Sequence, residues 1–323
     1  MKKIKSNFPE FVKLCMYDQR SLKKALTKEL KSFYDDVISE DGFIFVKGTI
    51  PILLTAHMDT VHKETVKEFV EQKHYNEDTK RIEHMISSPQ GIGGDDRCGI
   101  YMILTILKTT ELRPYILFCE DEEIGGVGSD KFVLTEHVKE IENLKYYIEL
   151  DRANVKDAVF YNCGNTEFMS YVLGFGFDED YGSFSDISNL SPVTDVASVN
   201  LSCGYYKAHT LAEYVIPEEM LDTIEKVINM LEDVENAEEY DYQEIRYSRY
   251  GEYGCKYYDY SSYFTNKKYY DLEQIIITYQ RNGEKKSEVY DYDGTESEYE
   301  ILARFLMDHP TVCYNDVISF DAL

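Results

Sequence analysis

The stretch Pro51-Ile-Leu-Leu-Thr-Ala-His-Met-Asp-Thr60 joins a short apolar run to an imidazole and a carboxylate. Ile52 to Ala56 reads as a buried strand of an α/β sheet, and ligands of such sheets gather beyond the carboxyl ends of the strands. His57 is placed there to bind a metal. Asp59 is placed to hold the imidazole from behind and fix its tautomer. His-x-Asp alone is a weak signal, but the rest of the chain delivers further carboxylates at similar strand ends. Gly91-Ile-Gly-Gly-Asp-Asp-Arg-Cys-Gly99 sets Asp95 and Asp96 at the start of an apolar helix, Ile100 to Leu107. Helix capping accounts for one such acid but hardly for two. Pro114 to Cys119 is a second strand, emptying into Glu120-Asp-Glu-Glu123, and four adjacent carboxylates repel one another unless a cation sits among them. A third strand, Lys145 to Leu150, ends at Asp151-Arg152, and a fourth, Ala197 to Leu201, leads through Gly204 to His209. Two histidines and several carboxylates without a thiolate pattern suit Zn, Mn or Co, and the count fits two metals sharing one bridging acid.

Other elements must hold these strands in place. Pro9 to Tyr34 has the spacing of a helix pair, with Phe11, Leu14, Leu22, Leu26 and Leu30 on recurring faces. Asp41-Gly42 turns into Phe43 to Val46, a strand expected to pair with the one carrying His57. A hairpin is expected from Glu68 to His84 around Asn76-Glu-Asp-Thr79, with His62, His74 and His84 as surface residues. Ser129-Asp130 is expected to cap a helix reaching Ile141. Ala158 to Tyr161 and Glu167 to Phe175 read as edge strands, and Pro217 opens a helix to about Val234. Past Glu235 the chain becomes rich in tyrosine, with a hairpin expected around Arg281-Asn-Gly283 and a closing helix from Glu298 to Met307.

The motifs His-Met-Asp-Thr-Val, Gly-Gly-Asp-Asp-Arg, Asp-Glu-Glu-Ile-Gly, Leu-Asp and Gly-Tyr-Tyr-Lys-Ala-His resemble, in order, the five motifs of the co-catalytic dizinc exopeptidases. The likeness is nearest to the peptidase T/aminoacylase group and covers roughly residues 50 to 230. It implies a three-layer α/β domain of the zinc-exopeptidase (phosphorylase/hydrolase-like) kind with a mixed central sheet. The change of composition past Glu235 sets that domain at residues 1–235 and reads as a small α+β appendage or lid over 236–323. The resemblance carries the site as well. It implies that His57 and Asp151 bind one metal, Glu123 and His209 the other, and that Asp95 bridges them, the peptide bond to the next residue often being cis. Glu122 would be the general base for a water held between two divalent metals, with Asp59 orienting His57. Arg97 and Arg152 stand as candidates to clamp a substrate carboxylate. Ser185-Asp186 and Glu213 are candidates to support the ligands or meet a substrate amine. The stretch between Asp151 and His209 is too short for the lid that the peptidase T group inserts there, which leaves substrate choice open.

Composition bounds the rest. The chain has 323 residues, 43% hydrophobic, and a formal charge of −26 from 60 acidic and 34 basic residues, which disfavours nucleic acid and anionic membranes as partners. Seven widely spaced cysteines without a CxxC pair read as reduced and cytoplasmic. The expectation is a metal-dependent hydrolase cleaving an amide bond, an aminopeptidase or di/tripeptidase acting on a peptide. An N-acyl amino acid deacylase or other amidohydrolase is the alternative, and a non-catalytic binding protein the second. A homo-oligomer is compatible with each.

Overall fold

The computed structural model describes residues 8–77, 80–245, 274–281, 284–291, 305 and 317–322. Two compact units divide the chain, one through Ile245 and one from Arg246. In the first, the amphipathic start forms α1 (Phe8–Cys15) and α2 (Gln19–Leu30), separated where Asp18 caps α2 by accepting from Ser21 N. Then follow β1 (Ile38–Glu40), β2 (Phe43–Val46), β3 (Ile50–His57) and the hairpin β4 (Val70–Asn76) with β5 (Arg81–Ser87). Residues 78 and 79 of the hairpin turn lie outside the described residues. Next come α3 (Gly94–Thr109), β6 (Pro114–Cys119), α4 (Val127–Val133), β7 (Tyr146–Arg152), β8 (Asp157–Val159), α5 (Thr166–Leu173), β9 (Asp178–Asp180) and α6 (Asp186–Thr194). The unit closes with β10 (Ser198–Ser202), β11 (Tyr205–Tyr206), β12 (Tyr214–Val215) and α7 (Pro217–Glu232).

The central sheet runs β1-β2-β6-β3-β7-β10-β8-β9. Its middle is parallel (β6, β3, β7, β10) and its flanks include antiparallel pairs, which makes it mixed. Alternate side chains of the middle strands feed two cores, as period-2 geometry requires. Leu54, Ile116, Ile148 and Val199 pack with α1, α2, α3 and α7, whereas Leu53, Leu117 and Tyr147 pack with Phe132 of α4 and Ile187 and Leu190 of α6. The result is three layers. Residues after α7 still belong to this unit: Ala237 and Tyr240 are buried in its core, and Ala197 N donates to Tyr240 O. Among the described residues, no helix is long and apolar enough to cross a membrane.

Three expectations fail here for local reasons. Strand β2 pairs with β6, not with β3. Between them the chain steps across the start of β6, where Thr49 N donates to Arg113 O and Gly48 lies so close that a Cβ would meet Arg113 O at 2.3 Å. Glu167 to Phe175 is helical rather than extended. Its Phe, Tyr and Val content favours strand, but Phe168 and Val172 are buried at helical spacing and Asn165 caps the helix by accepting from Phe168 N. Finally, α4 starts at Val127, ahead of Ser129, with Gly126 (φ 69°) in the cap position, and stops at Val133, after which Thr135 caps a separate 3₁₀ turn, Glu136–Glu140.

The second unit contains β13 (Gln274–Arg281), β14 (Glu284–Asp291) and β15 (Val317–Ala322) in the order β14-β13-β15, with Ile277, Tyr279 and Phe305 buried. The hairpin expected around Arg281 is β13 with β14. The tyrosine-dense stretch 246–273 lies outside the described residues, as does the expected closing helix apart from Phe305.

The capping of α5 gives a direct check on this architecture. Asn165→Ala removes the bond to Phe168 N and the one from Asn165 Nδ2 to Asp241 O, so it should destabilise the protein by about 1–2 kcal/mol. A denaturant midpoint that falls at unchanged slope is the expected result; an unmoved midpoint would contradict the helical assignment.

Candidate metal centre

Strands β6, β3 and β7 lie side by side and parallel, so their carboxyl ends open on one edge. His57 is the last residue of β3 and pairs in register with Cys119, the last of β6, which is followed at once by the acidic loop. Asp151 sits near the end of β7, and Asp95 in the first turn of α3. His209 lies between β11 and β12, at φ 62°. The topology thus carries residues spread over half the chain to one place.

The five expected ligands converge on Asp95. His57 Nε2 lies 2.9 Å from Asp95 Oδ1 and 3.4 Å from Asp151 Oδ1. His209 Nε2 lies 3.2 Å from Asp95 Oδ2 and 2.9 Å from Glu123 Oε2. One carboxylate therefore faces two imidazoles through its two oxygens, and each imidazole has a second carboxylate of its own. The peptide bond between Asp95 and Asp96 is cis. Glu122 Oε2 stands 4.0 Å from His57 Nε2, and His57 Nδ1 is 3.2 Å from Asp59 Oδ1. Asp59 also accepts from the backbone N–H groups of Glu122 and Glu123, at 3.0 Å each, so it fixes the imidazole and the acidic loop together.

The four acids of that loop separate into two pairs. Glu120 is held by Lys23 of α2 and by Gly42 N, and Asp121 by Gln19 Nε2 at 2.8 Å. Glu122 and Glu123 turn inward instead. Asp151 is held by Ser185 Oγ at 3.1 Å, while its N–H donates to Asn200 Oδ1 and its carbonyl accepts from Tyr205 OH. Ser185 is thus one of the residues the sequence offered as a support for the ligands, whereas Asn200 and Tyr205 carry no sequence signal for this role, since each comes from a different segment. Asp96 is also within reach: it forms a group with His57 and Asp151 whose ligand atoms lie within 4.8 Å of one another, as His57, Asp95 and Glu123 do. Both Asp96 oxygens are already occupied, by His57 N and Gly99 N. A backbone-holding role suits it better.

The electrostatics follow from crowding. Burial first, then Asp151 against the opposing pull of His57, pushes Glu122 up to about 9. Burial and Asp95 push Asp151 up to about 7. Burial would raise Asp95, but hydrogen bonds from His209 and His57 outweigh it and hold the group low. His209 is raised to about 10 by Asp95 and Glu123. His57 is raised well above its ordinary value, because Asp151, Asp59 and Asp95 outweigh its burial. Glu123 Oε1 and Asp151 Oδ1 are buried with no hydrogen-bond partner. Two imidazoles, several carboxylates and two orphaned carboxylate oxygens at one point fit a divalent cation with a preference for nitrogen and oxygen.

The candidate substrate-binding residues are engaged elsewhere. Arg97 is buried, its guanidinium donating to the carbonyls of Met58, Asp59 and Tyr17. Arg152 pairs with Asp180 at 2.6 Å. Asp186 is fully buried and accepts from Ser129 Oγ at 2.6 Å. His62 is not a surface histidine, because its side chain is 7% exposed and bonds to Glu213. His84 bonds to Glu218 on α7, and the side chain of His74 lies outside the described residues.

No family model matches the sequence, and no curated protein matches it. Solved structures do. Aminopeptidase PepT from Bacillus cereus is similar over 71% of this chain and 98% of its own, with a TM-score of 0.54 at 16% identity. A tripeptidase from Staphylococcus aureus is similar over the same shares, with a TM-score of 0.54 at 15% identity. At such identity the likeness is one of fold: the chain has the zinc-exopeptidase-like α/β architecture.

Metal binding here should be coupled to protons. The surrounding carboxylates raise both imidazoles above their ordinary value and so favour their charged forms. Each must give up that extra proton to bind a cation, so protons compete and affinity should fall as pH falls. Zinc affinity should rise about tenfold per pH unit for each proton displaced between about pH 6 and pH 8, with proton release seen by calorimetry in buffers of different ionisation enthalpy. Affinity independent of pH would contradict this arrangement.

Proposed function

We propose that the chain is a metal-dependent amide hydrolase of short peptides with a free amino terminus, an aminopeptidase or di/tripeptidase, with its chemistry in residues 1–235. The observation that carries the reading is the Asp95 carboxylate set between His57 and His209. On this reading His57, Asp95 and Asp151 hold one divalent cation and Asp95, Glu123 and His209 a second, with zinc the first choice. Bound there, the cations would lower the pKa of water and polarise the scissile carbonyl.

The protein groups supply the rest. Glu122 is the general base: it stands beside the cluster without being needed to complete either triad. Cations bound there would offset the carboxylate crowding that raises it, leaving it able to take a proton from water and return it to the leaving amine. Asp59 keeps Nε2 of His57 directed at the cluster by accepting from Nδ1. His209, with a side chain 57% exposed, leaves one side open for a substrate. A free amine is favoured over an N-acyl group because the surroundings are acidic. Arg97 and Arg152, the two candidates for a carboxylate clamp, are committed to carbonyls and to Asp180, so neither is free to act as one.

Glu122→Gln should lower turnover of di- and tripeptides by about 10²- to 10⁴-fold while metal content, measured by elemental analysis, stays at the wild-type level. Glu123→Gln should lose metal as well. Turnover confined to N-acylated amino acids would replace the peptidase with a deacylase. Full retention of activity in Glu122→Gln would overturn the mechanism.

A further inference from the structure

His57, Asp95 and His209 arrive on three separate segments, and one buried side chain touches all three segments. Glu213 follows His209 by four residues in a turn closed by its own N–H donating to Thr210 O. Its side chain is 1% exposed. Oε1 accepts from Asp95 N at 3.0 Å, and Oε2 accepts from Gly93 N at 3.0 Å. Oε2 also meets His62 Nε2 at 2.8 Å, and His62 lies on the loop that leaves β3 after His57 and Asp59. The segment of each imidazole is thereby tied to the backbone N–H of the acid between them.

The surrounding sequence is cut to fit this junction. A Cβ on Gly94 would meet Glu213 Oε1 at 3.2 Å, Val215 Cγ2 at 2.7 Å and Tyr205 Cβ at 2.9 Å. A Cβ on Gly91, which has φ +83°, would meet the His62 ring at 2.2 Å. The glycines ahead of Asp95 thus leave room for the histidine and the glutamate to press on the loop. Beyond Glu213 the chain enters β12, which pairs with β5 through Tyr214 to Ser87 and Val215 to Ile86, so the carboxylate is anchored from behind.

We propose that Glu213, assisted by His62, is a positioning residue that sets the distance and aim of Asp95 relative to both histidines and so determines the metal affinity of the site. A buried carboxylate is costly unless it is hydrogen-bonded, and here its acceptor capacity is met by the three N–H groups whose placement the site requires. The inference rests on the metal-centre reading of the previous subsection. It adds that the Asp95 backbone, not only its side chain, is held for that purpose.

The test uses the full-length protein and zinc, with affinity measured by competition against a chromophoric chelator and folding by circular dichroism of the metal-free form. In Glu213→Gln an amide nitrogen replaces one acceptor, leaving at least one of the Asp95 and Gly93 N–H groups without a partner. Zinc affinity should fall about 10- to 100-fold, the range for losing a group that orients a ligand, in protein that is otherwise folded. His62→Ala should weaken zinc in the same direction, and His62→Gln, whose amide can still donate to Glu213, should recover most of the loss. If Glu213→Gln fails to fold, the contrast between the two His62 variants decides the matter. Folded Glu213→Gln with wild-type zinc affinity, or His62→Ala and His62→Gln with equal affinities, would overturn the proposal. Wild-type protein that binds no zinc would overturn the metal-centre reading itself, and the inference with it.

Discussion

The arrangement turns on one carboxylate, Asp95, placed between two imidazoles. An acid in that position must be buried, must keep its charge, and must have both oxygens aimed in different directions. None of these is a default outcome for an aspartate. Burial pushes it up, and the hydrogen bonds from His209 and His57, with the charge of His57, outweigh that and hold it low. The parallel trio β6, β3 and β7, the glycine-rich approach to α3 and the turn after His209 all converge to meet that requirement.

A second layer of constraint keeps the charges where they are. Asp59 accepts from His57 and from two successive backbone N–H groups, so the imidazole cannot rotate without releasing the acidic loop. Lys23 and Gln19 of α2 draw Glu120 and Asp121 away, and this leaves Glu122 and Glu123 to turn inward. Neighbouring like charges are thereby sorted into two roles by partners about a hundred residues away in the chain. The helix pair at the amino terminus, an ordinary packing element by its pattern, is part of what shapes the site.

What the sequence made legible follows from local physics. Ile52 to Ala56, Pro114 to Cys119 and Lys145 to Leu150 are short, largely apolar runs of strand length, and each delivers an acid or a histidine at its end. The long unbroken apolar run after Asp96 likewise marks α3, and Pro217 with the acids behind it marks the start of α7. What stayed hidden depended on partners distant in sequence. The exchange of β3 for β6 beside β2 depends on Gly48 lying against Arg113, and the structural role of Arg97 depends on three carbonyls that leave no trace in residue type. Asn165, the cap that starts α5, precedes a run of aromatic and β-branched residues whose composition favours a strand. His62 looked like a surface residue because its carboxylate partner is Glu213, far along the chain.

Anomalous diffraction from crystals of the zinc-loaded protein tests the central claim most directly, since it locates each cation against named side chains. The account predicts two peaks about 3.5–4 Å apart, one on either side of the Asp95 carboxylate, the first beside His57 and Asp151 and the second beside Glu123 and His209. Peaks elsewhere on the surface, or none at the Asp95 carboxylate, would contradict it.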